Sequence, residues 1–197
     1  MLFRSMNAQV AELAKAGQTD MLTSAREAFA HVEKLYAEVR SLVRARVSTG
    51  GKISSELFEQ AQHEGHGLAW LATYVESLRE MIAYAGRLSA EGRFGEIEDL
   101  LTRIGIGEYL SQIFGGIPMN QGEFVRPEDF GLSAERVAAL RTGAVARMIA
   151  IGNTADHRAR LVALIAKLDS TAMIGDPGLD ETMESIREEI RKFGEGE

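Results

Sequence analysis

The chain has 197 residues, a formal net charge of −7 and 45% hydrophobic residues, which is enough apolar side chain for a packed core. Its acidic balance and scattered Lys and Arg residues argue against nucleic-acid binding, because phosphate contacts need clustered positive charge. The lack of cysteine excludes a disulfide framework, a thiolate zinc site and a cysteine nucleophile. With no apolar run of membrane-spanning length and no secretory signal pattern, we expect a cytoplasmic protein.

Both ends of the sequence give expectations about domain organisation. Residues 1–5 read MLFRS, which we interpret as a cloning or sequencing scar at the start of a flexible segment, 1–19. A Gly/Pro cluster at 175–178 marks a boundary, so 20–174 are predicted to form one helical bundle domain. We expect 175–197 to be a linker and the first helix of a truncated further domain, since its charged helical pattern stops without a C-terminal cap.

The first half of the chain predicts two long helices. From an N-cap at Asp20, apolar residues recur at steps of three and four until the turn cluster at 48–51. A second helix is predicted from Ser54 or Ser55 to about Glu91. Its inner face is expected to consist of Leu57, Ala61, Leu68, Leu71, Val75, Leu78, Ile82, Ala85 and Leu88.

Two pairs of closely spaced glycines inside the predicted helices indicate close packing or distortion. Gly65 and Gly67 lie in the second helix, where each glycine costs up to about 1 kcal/mol relative to alanine. We therefore expect a close helix contact or a kink at that point. A third helix is predicted after Arg93, with a bend at Gly105 and Gly107.

The second half of the chain predicts a loop and three shorter helices. The cluster 115–118 ends the third helix, and 119–131 are predicted to be an irregular connection. Ser133 and Thr154 are predicted N-caps of a fourth and a fifth helix that form an antiparallel hairpin, and Asp180 caps a last helix. The predicted fold is all-α, an antiparallel bundle of about five helices with a trailing helix.

Two histidines and a glutamate raise the question of a metal site. His63 and His66 share a helix face with Glu64 beside them. Their spacing does not match the zinc-hydrolase pattern, and Gln60 stands where a di-iron bundle needs glutamate. We favour packing or hydrogen-bonding histidines, with a metal-binding helical enzyme as an alternative.

Trp70 and Tyr74 lie one turn apart on the second helix. Aromatic residues at this spacing are typical of a core or an interface. We predict that this face is an interface, because it would otherwise expose large rings to water.

Three arginines form the densest positive run of the chain. Arg40, Arg44 and Arg46 lie at helical spacing near the end of the first helix, where cations complement the carbonyl end of the helix dipole. An anionic-ligand patch is the alternative interpretation.

The connection after the third helix mixes charged and apolar residues. Its clustered charges are typical of a solvated loop and comprise Glu123, Arg126, Glu128 and Asp129. Because Met119, Phe124 and Val125 accompany them, an ordered docking surface over 119–127 is the alternative.

The remaining motifs do not define a reaction centre. The pairs Gly105/Gly107 and Gly115/Gly116 only weakly match phosphate-binding loops, since no strand and βαβ unit accompany them. No serine lies in the strand-turn-helix context of a nucleophile elbow. We therefore assign no catalytic, cofactor-binding or metal-binding residue.

Several longer segments resemble the N-terminal helical extension of bacterial FAD-dependent acyl-CoA dehydrogenases, and together they cover most of the chain after Glu59. They are GLAWLATYVESLREM (67–81), GRFGEIEDL (92–100), GEYLSQIFGGIPMNQGEFVRP (107–127) and GDPGLDETMESIREEIRKF (175–193). The last of these segments looks like the opening helix of the dehydrogenase fold proper.

The resemblance implies a flavoprotein oxidoreductase of fatty acid metabolism as the parent. In that family a glutamate removes the α-proton of an acyl-CoA thioester while hydride passes to FAD, and both sites lie in domains outside this chain. The resemblance thus implies a fragment with a packing, oligomerisation or substrate-access role, whose partners are the remaining domains of the same polypeptide and other copies of it. A free-standing helical interaction module is the alternative.

Overall fold

The computed structural model describes residues 2–141, 143–168 and 179–196, with side chains from residue 21 onward. In these ranges there are eight α-helices: α1 Leu2–Arg46, α2 Ser55–Gln60, α3 Gln62–Ala90, α4 Glu96–Gly115, α5 Ala134–Leu140, α6 Ala144–Ile151, α7 Ala155–Ile165 and α8 Glu181–Glu195. Two short antiparallel hairpins accompany them: β1 Ser48–Thr49 with β2 Lys52–Ile53, and β3 Ile117–Asn120 with β4 Glu123–Val125. A 3-10 helix spans Pro127–Phe130. The predicted all-α class is confirmed.

The bundle is organised around α1, α3 and α4. Helix α1 packs against α3 and α6, α3 packs against α4, and α4 packs against α6 and α7. The periodic apolar residues of these helices face one another, as the steps of three and four require. The largest fully buried side chains include Leu35, Leu71, Leu78, Ile106, Leu110 and Ile113.

Side-chain caps begin four of the helices at the predicted residues. The oxygens of Ser54, Ser133, Thr154 and Asp180 each accept a hydrogen bond from the backbone N–H three residues later. The predicted cap at Asp20 is wrong, because α1 starts at Leu2 and runs through that residue. An aspartate inside a helix costs no more than about 0.7 kcal/mol relative to alanine, which is too little to end the helix.

Two of the predicted helices are each divided in the structure. The second breaks at Ala61, whose backbone (φ −115°, ψ 32°) separates α2 from α3. The fourth breaks between α5 and α6, where Gly143 has φ 61°. Helix α7 packs along α4 rather than pairing with α6 in the predicted hairpin, and Ile151 at the end of α6 is 47% exposed.

The glycines inside α3 and α4 permit close approaches. A Cβ atom at Gly67 would lie 2.7 Å from Cγ2 of Val125, so the β3–β4 hairpin rests directly on α3. A Cβ atom at Gly107 would lie 2.8 Å from the backbone nitrogen of Asn153. Helix α4 continues through Gly105 and Gly107 without interruption, so these residues allow contact instead of ending the helical hydrogen bonding.

The predicted irregular connection after the third helix is partly regular. Strands β3 and β4 pair with Ile117 opposite Val125, and both residues are buried with Met119 on the core side. The short alternation of buried and exposed residues places every second side chain of β3 on α3 and α4, as strand geometry requires. The prediction of an irregular segment is wrong there because four residues are too few for a periodic signal to stand out.

Helix α8 has an apolar stripe that remains open to solvent. Met183, Ile186, Ile190 and Phe193 recur at helical spacing and are 49–76% exposed. The linker predicted at 175–178 lies outside the described residues, and the predicted domain bounds stay predictions. Within the described ranges, none of the helices combines the length and the apolar character that a bilayer crossing requires.

Candidate functional site

Several of the predicted motifs meet at one end of the bundle, where the C-terminal end of α1 meets β1–β2, α2 and the start of α3. A polar cleft of about 420 Å³ opens there between α2, α3 and β4. Its lining includes Phe58, Gln62, His63, His66 and Glu123. The cleft brings the two predicted histidines together with a glutamate of the predicted docking loop.

One of the two histidines of this cleft takes part in a local hydrogen bond. Trp70 Nε1 donates to His66 Nε2 at 2.9 Å, one turn along α3, which fixes one ring nitrogen as an acceptor. Glu64, next to His63, forms an ion pair with Arg46 of α1. Among the described residues, no group of three or more histidine and acidic side chains has a metal-binding arrangement.

Tyr74 lies in the core, with only 8% of its surface exposed. The predicted interface role is therefore wrong for Tyr74, while Trp70 is half-buried against the same core. The Tyr74 hydroxyl donates to Gln112 Oε1 of α4, and its ring meets Tyr109 edge-on with centroids 4.6 Å apart. Burial raises the pKa of Tyr74, with smaller contributions from Tyr109 and Glu108, because each disfavours the phenolate.

A chain of polar side chains continues from Tyr74 toward α7. Gln112 Nε2 donates to Glu108 Oε1 at 2.7 Å, and Asn153 Nδ2 donates to the other oxygen of Glu108. Arg158 of α7 in turn donates to Asn153. This polar chain, Tyr74–Gln112–Glu108–Asn153–Arg158, connects α3, α4 and α7. The sequence contained only one hint of it, the four-residue spacing of Glu108 and Gln112.

The charged residues of the predicted docking loop have separate roles. Asp129 accepts a hydrogen bond from the backbone N–H of Arg126 at 2.7 Å and caps the 3-10 helix. Glu123 faces the polar cleft, and Phe124 next to it is 45% exposed. The docking role of 119–127 stays a prediction, with Phe124 as its exposed apolar residue.

An apolar groove of about 430 Å³ lies beside the polar cleft and shares Phe58 and Gly65 with it. Val43, Val47 and Leu68 contribute its apolar floor. Ile53 of β2 and Phe58 of α2 form its sides, and Arg40 and Arg44 lie at its α1 edge. Sequence reasoning missed this groove, because its sides come from a two-residue strand and a six-residue helix.

The glycine pairs do not fit a flavin or other dinucleotide. Gly107 lies inside α4 against the backbone of Asn153, and Gly105 faces Met81. Gly116 is the C-cap of α4, with φ 133°. A phosphate-binding loop needs free backbone N–H groups at the start of a helix that follows a strand, and these glycines occur inside and at the end of one.

These observations define an all-α helical domain with two adjoining surface grooves and a polar chain between its helices. No known family model matches the sequence. The chain is 49% identical over 176 residues to the (2S)-methylsuccinyl-CoA dehydrogenase of Cereibacter sphaeroides. The match covers 89% of this chain and 31% of that protein, so the chain spans about a third of the relative's length. The predicted similarity to one part of an acyl-CoA dehydrogenase is confirmed.

Proposed function

We propose that this chain forms a non-catalytic helical domain of a larger acyl-CoA dehydrogenase, at the N-terminal side of the flavin-binding fold. The observation that carries the proposal is the 49% identity over nearly the whole chain to less than a third of a dehydrogenase. At that identity the two segments share a fold, and the remaining two thirds of the relative have no counterpart here.

The buried polar side chains of the domain hydrogen-bond to one another, which supports a structural role for the domain. The buried Tyr74 bonds to the half-buried Gln112 across the contact of α3 with α4, and Gln112 bonds to the half-buried Glu108 within α4. The buried carboxylate of Asp99 is held by Arg103 of the same helix at 2.8 Å. Side chains that bond to one another in this way stabilise a helix or a contact between helices, and they leave few groups for a substrate.

The role in the parent enzyme would be packing, oligomer contact or control of substrate access. The open apolar stripe of α8 suits contact with a further domain, because exposed apolar patches of this kind mark interaction surfaces. FAD, which the resemblance implies, would be held by other segments of the polypeptide. A cytoplasmic location and a homo-oligomeric parent belong to the same proposal.

Two measurements test the proposal. The purified chain, mixed with FAD and washed, should retain no flavin absorbance, and it should not oxidise (2S)-methylsuccinyl-CoA in the presence of an electron acceptor. The Cereibacter sphaeroides enzyme provides the positive control. Flavin retention or turnover by the isolated chain would overturn the non-catalytic assignment.

A free-standing interaction module is the second candidate, and the exposed residues Phe124, Ile53 and Phe58 favour it. Sequencing the natural locus beyond the codon for Glu197 separates the two. A reading frame that continues into a flavin domain supports the first proposal. A stop codon directly after Glu197 supports the module.

A further inference from the structure

We propose that the apolar groove binds a single-chain amphiphilic anion, with its alkyl chain on Val43, Val47 and Leu68 and its anionic head group at Arg40 and Arg44. The inference goes beyond the proposed function, because it assigns a ligand site that a packing role does not require. It rests on three features of the groove: exposed apolar sides, a fixed backbone, and two arginines without a carboxylate partner among the described residues.

The sides of the groove expose apolar surface that a folded domain normally covers. Ile53 is 70% exposed and Phe58 is 44% exposed, and both face a floor that is continuous with the core through Val43 and Val47. Phe58 also lies over Gly65, where an added Cβ atom would be 3.2 Å from its ring. An alkyl chain in the groove would remove these surfaces from water, which is favourable in proportion to the area covered.

Local hydrogen bonds hold the sides in place. Gly50 and Gly51, with φ of 59° and 78°, form the two-residue turn that pairs β1 with β2. The backbone N–H of Ser54 donates to the carbonyl of Val47 at 2.9 Å and joins the hairpin to the end of α1. Because the groove is formed before any ligand enters, little ordering cost opposes binding.

Two arginines make one edge of the groove positively charged. Arg40 and Arg44 are exposed and lie one turn apart on α1, and within the described ranges neither forms an ion pair with a carboxylate. Arg46, two residues on, is by contrast paired with Glu64. The helix dipole acts within the last turn and so accounts for Arg44 but not for Arg40, six residues before the end of α1.

The arginines lie where the head group of a bound amphiphile would be. They also border a neighbouring depression together with Ala37 and Ser41, so the guanidinium groups lie between apolar floor and polar surface. Guanidinium binds carboxylate and phosphate oxygens through paired N–H donors. A volume of about 430 Å³ falls in the range of small-molecule sites, which favours a single alkyl chain over a partner helix.

Calorimetric titration of the full chain tests the proposal, with dodecanoate, dodecyl phosphate and dodecyltrimethylammonium as probes below their micelle concentrations. We expect the two anions to bind with one site per chain and the cation to bind about tenfold more weakly or not at all, since it cannot accept the charge-assisted hydrogen bonds of the guanidinium groups. A preference between the anions identifies a carboxylate or a phosphate head. Equal binding of the cation, or no binding of either anion, would overturn the proposal.

Matched variants locate the site. Arg44→Glu and Ile53→Asp should each weaken dodecanoate binding about tenfold or more. Lys34→Glu makes the same charge change on α1 about 15 Å away, and Val162→Asp places the same charge on an equally exposed apolar residue of α7. Both controls should bind like the parent chain. Equal losses in variants and controls, or binding only to anionic vesicles, would reject a site for a single chain.

Discussion

Tyr74 lies in the core of the domain, although its sequence context indicated an exposed interface. An aromatic residue one turn from Trp70 suggested a surface for a partner, but the Tyr74 hydroxyl is used inside the domain, at Gln112. A buried tyrosine needs such an acceptor, because an unpaired hydroxyl in the core costs free energy. Tyr74 is not among the residues predicted for the inner face of this helix, and no local pattern identifies its acceptor, which lies 38 residues away.

Replacing Tyr74 by phenylalanine should lower the free energy of unfolding by about 1–2 kcal/mol, because the ring stays and Gln112 loses its donor. Urea unfolding followed by circular dichroism measures the change. Tyr36→Phe is the matched control, since Tyr36 is half-buried and has no hydroxyl hydrogen bond to another described residue. A loss no larger than that of the control would show that the Tyr74–Gln112 bond contributes little.

At the scale of elements, the sequence predicted the caps well and the helix lengths poorly. A cap is a local event between a side chain and a backbone N–H three residues away, so Ser54 and Ser133 could be identified from neighbours alone. The breaks at Ala61 and Gly143 have no side-chain cap, so no local signal of this kind marks them. The β3–β4 hairpin depends on packing against a distant element, because it lies on Gly67 of α3.

The contact between α4 and the start of α7 depends on a glycine. Gly107→Ala should lower the free energy of unfolding by about 1–3 kcal/mol, because its Cβ atom would lie 2.8 Å from the backbone of Asn153, which cannot rotate away. Gly115→Ala is the control on the same helix, since a Cβ atom there has no neighbour within 4 Å. Thermal and urea unfolding of both variants checks this. Equal effects of the two would contradict a tight α4–α7 contact.

Two long-range ion pairs join elements and should make stability depend on pH. Hydrogen bonds from Arg136 lower the pKa of Glu38, and those from Arg160 lower the pKa of Glu96. A carboxyl group whose folded pKa is lowered stabilises the fold above its unfolded pKa, here the usual 4.5, and loses that contribution as the pH falls through the folded value.

The double variant Glu38→Gln/Glu96→Gln should therefore be less stable than the parent at pH 7, by a small amount because both pairs are exposed. The difference should shrink once the pH drops below about 4.5 and vanish at lower pH. Urea midpoints measured across this range provide the check, with Glu80→Gln, an exposed residue of α3, as control. A difference that persists unchanged in acid would mean that the pairs do not act through charge.

At the scale of the whole molecule, the all-α class and the central role of the long helices followed from the periodicity of the apolar residues, because that periodicity indicates which face of a helix is buried. The mutual arrangement of the helices did not follow. Helix α7 packs on α4, and its Arg160 reaches Glu96, 64 residues earlier, a pairing that no local pattern encodes. The apolar groove also could not be predicted from a local pattern. Val43 and Ile53 line it together only because the chain turns back after the end of α1.

The exposed stripe of α8 leads to a prediction about the cooperative unit. A chain ending at residue 174 should unfold in one transition with a melting temperature within about 2 °C of the parent, since the apolar residues of α8 are open to solvent. A chain ending at Gly152 should melt several degrees lower, because it loses the Arg160–Glu96 pair and the Asn153–Glu108 hydrogen bond that join α7 to α4. Differential scanning calorimetry of the three chains distinguishes these outcomes. If the removal of 175–197 lowers the melting temperature as much as the removal of α7, then α8 belongs to the bundle and the predicted boundary is wrong.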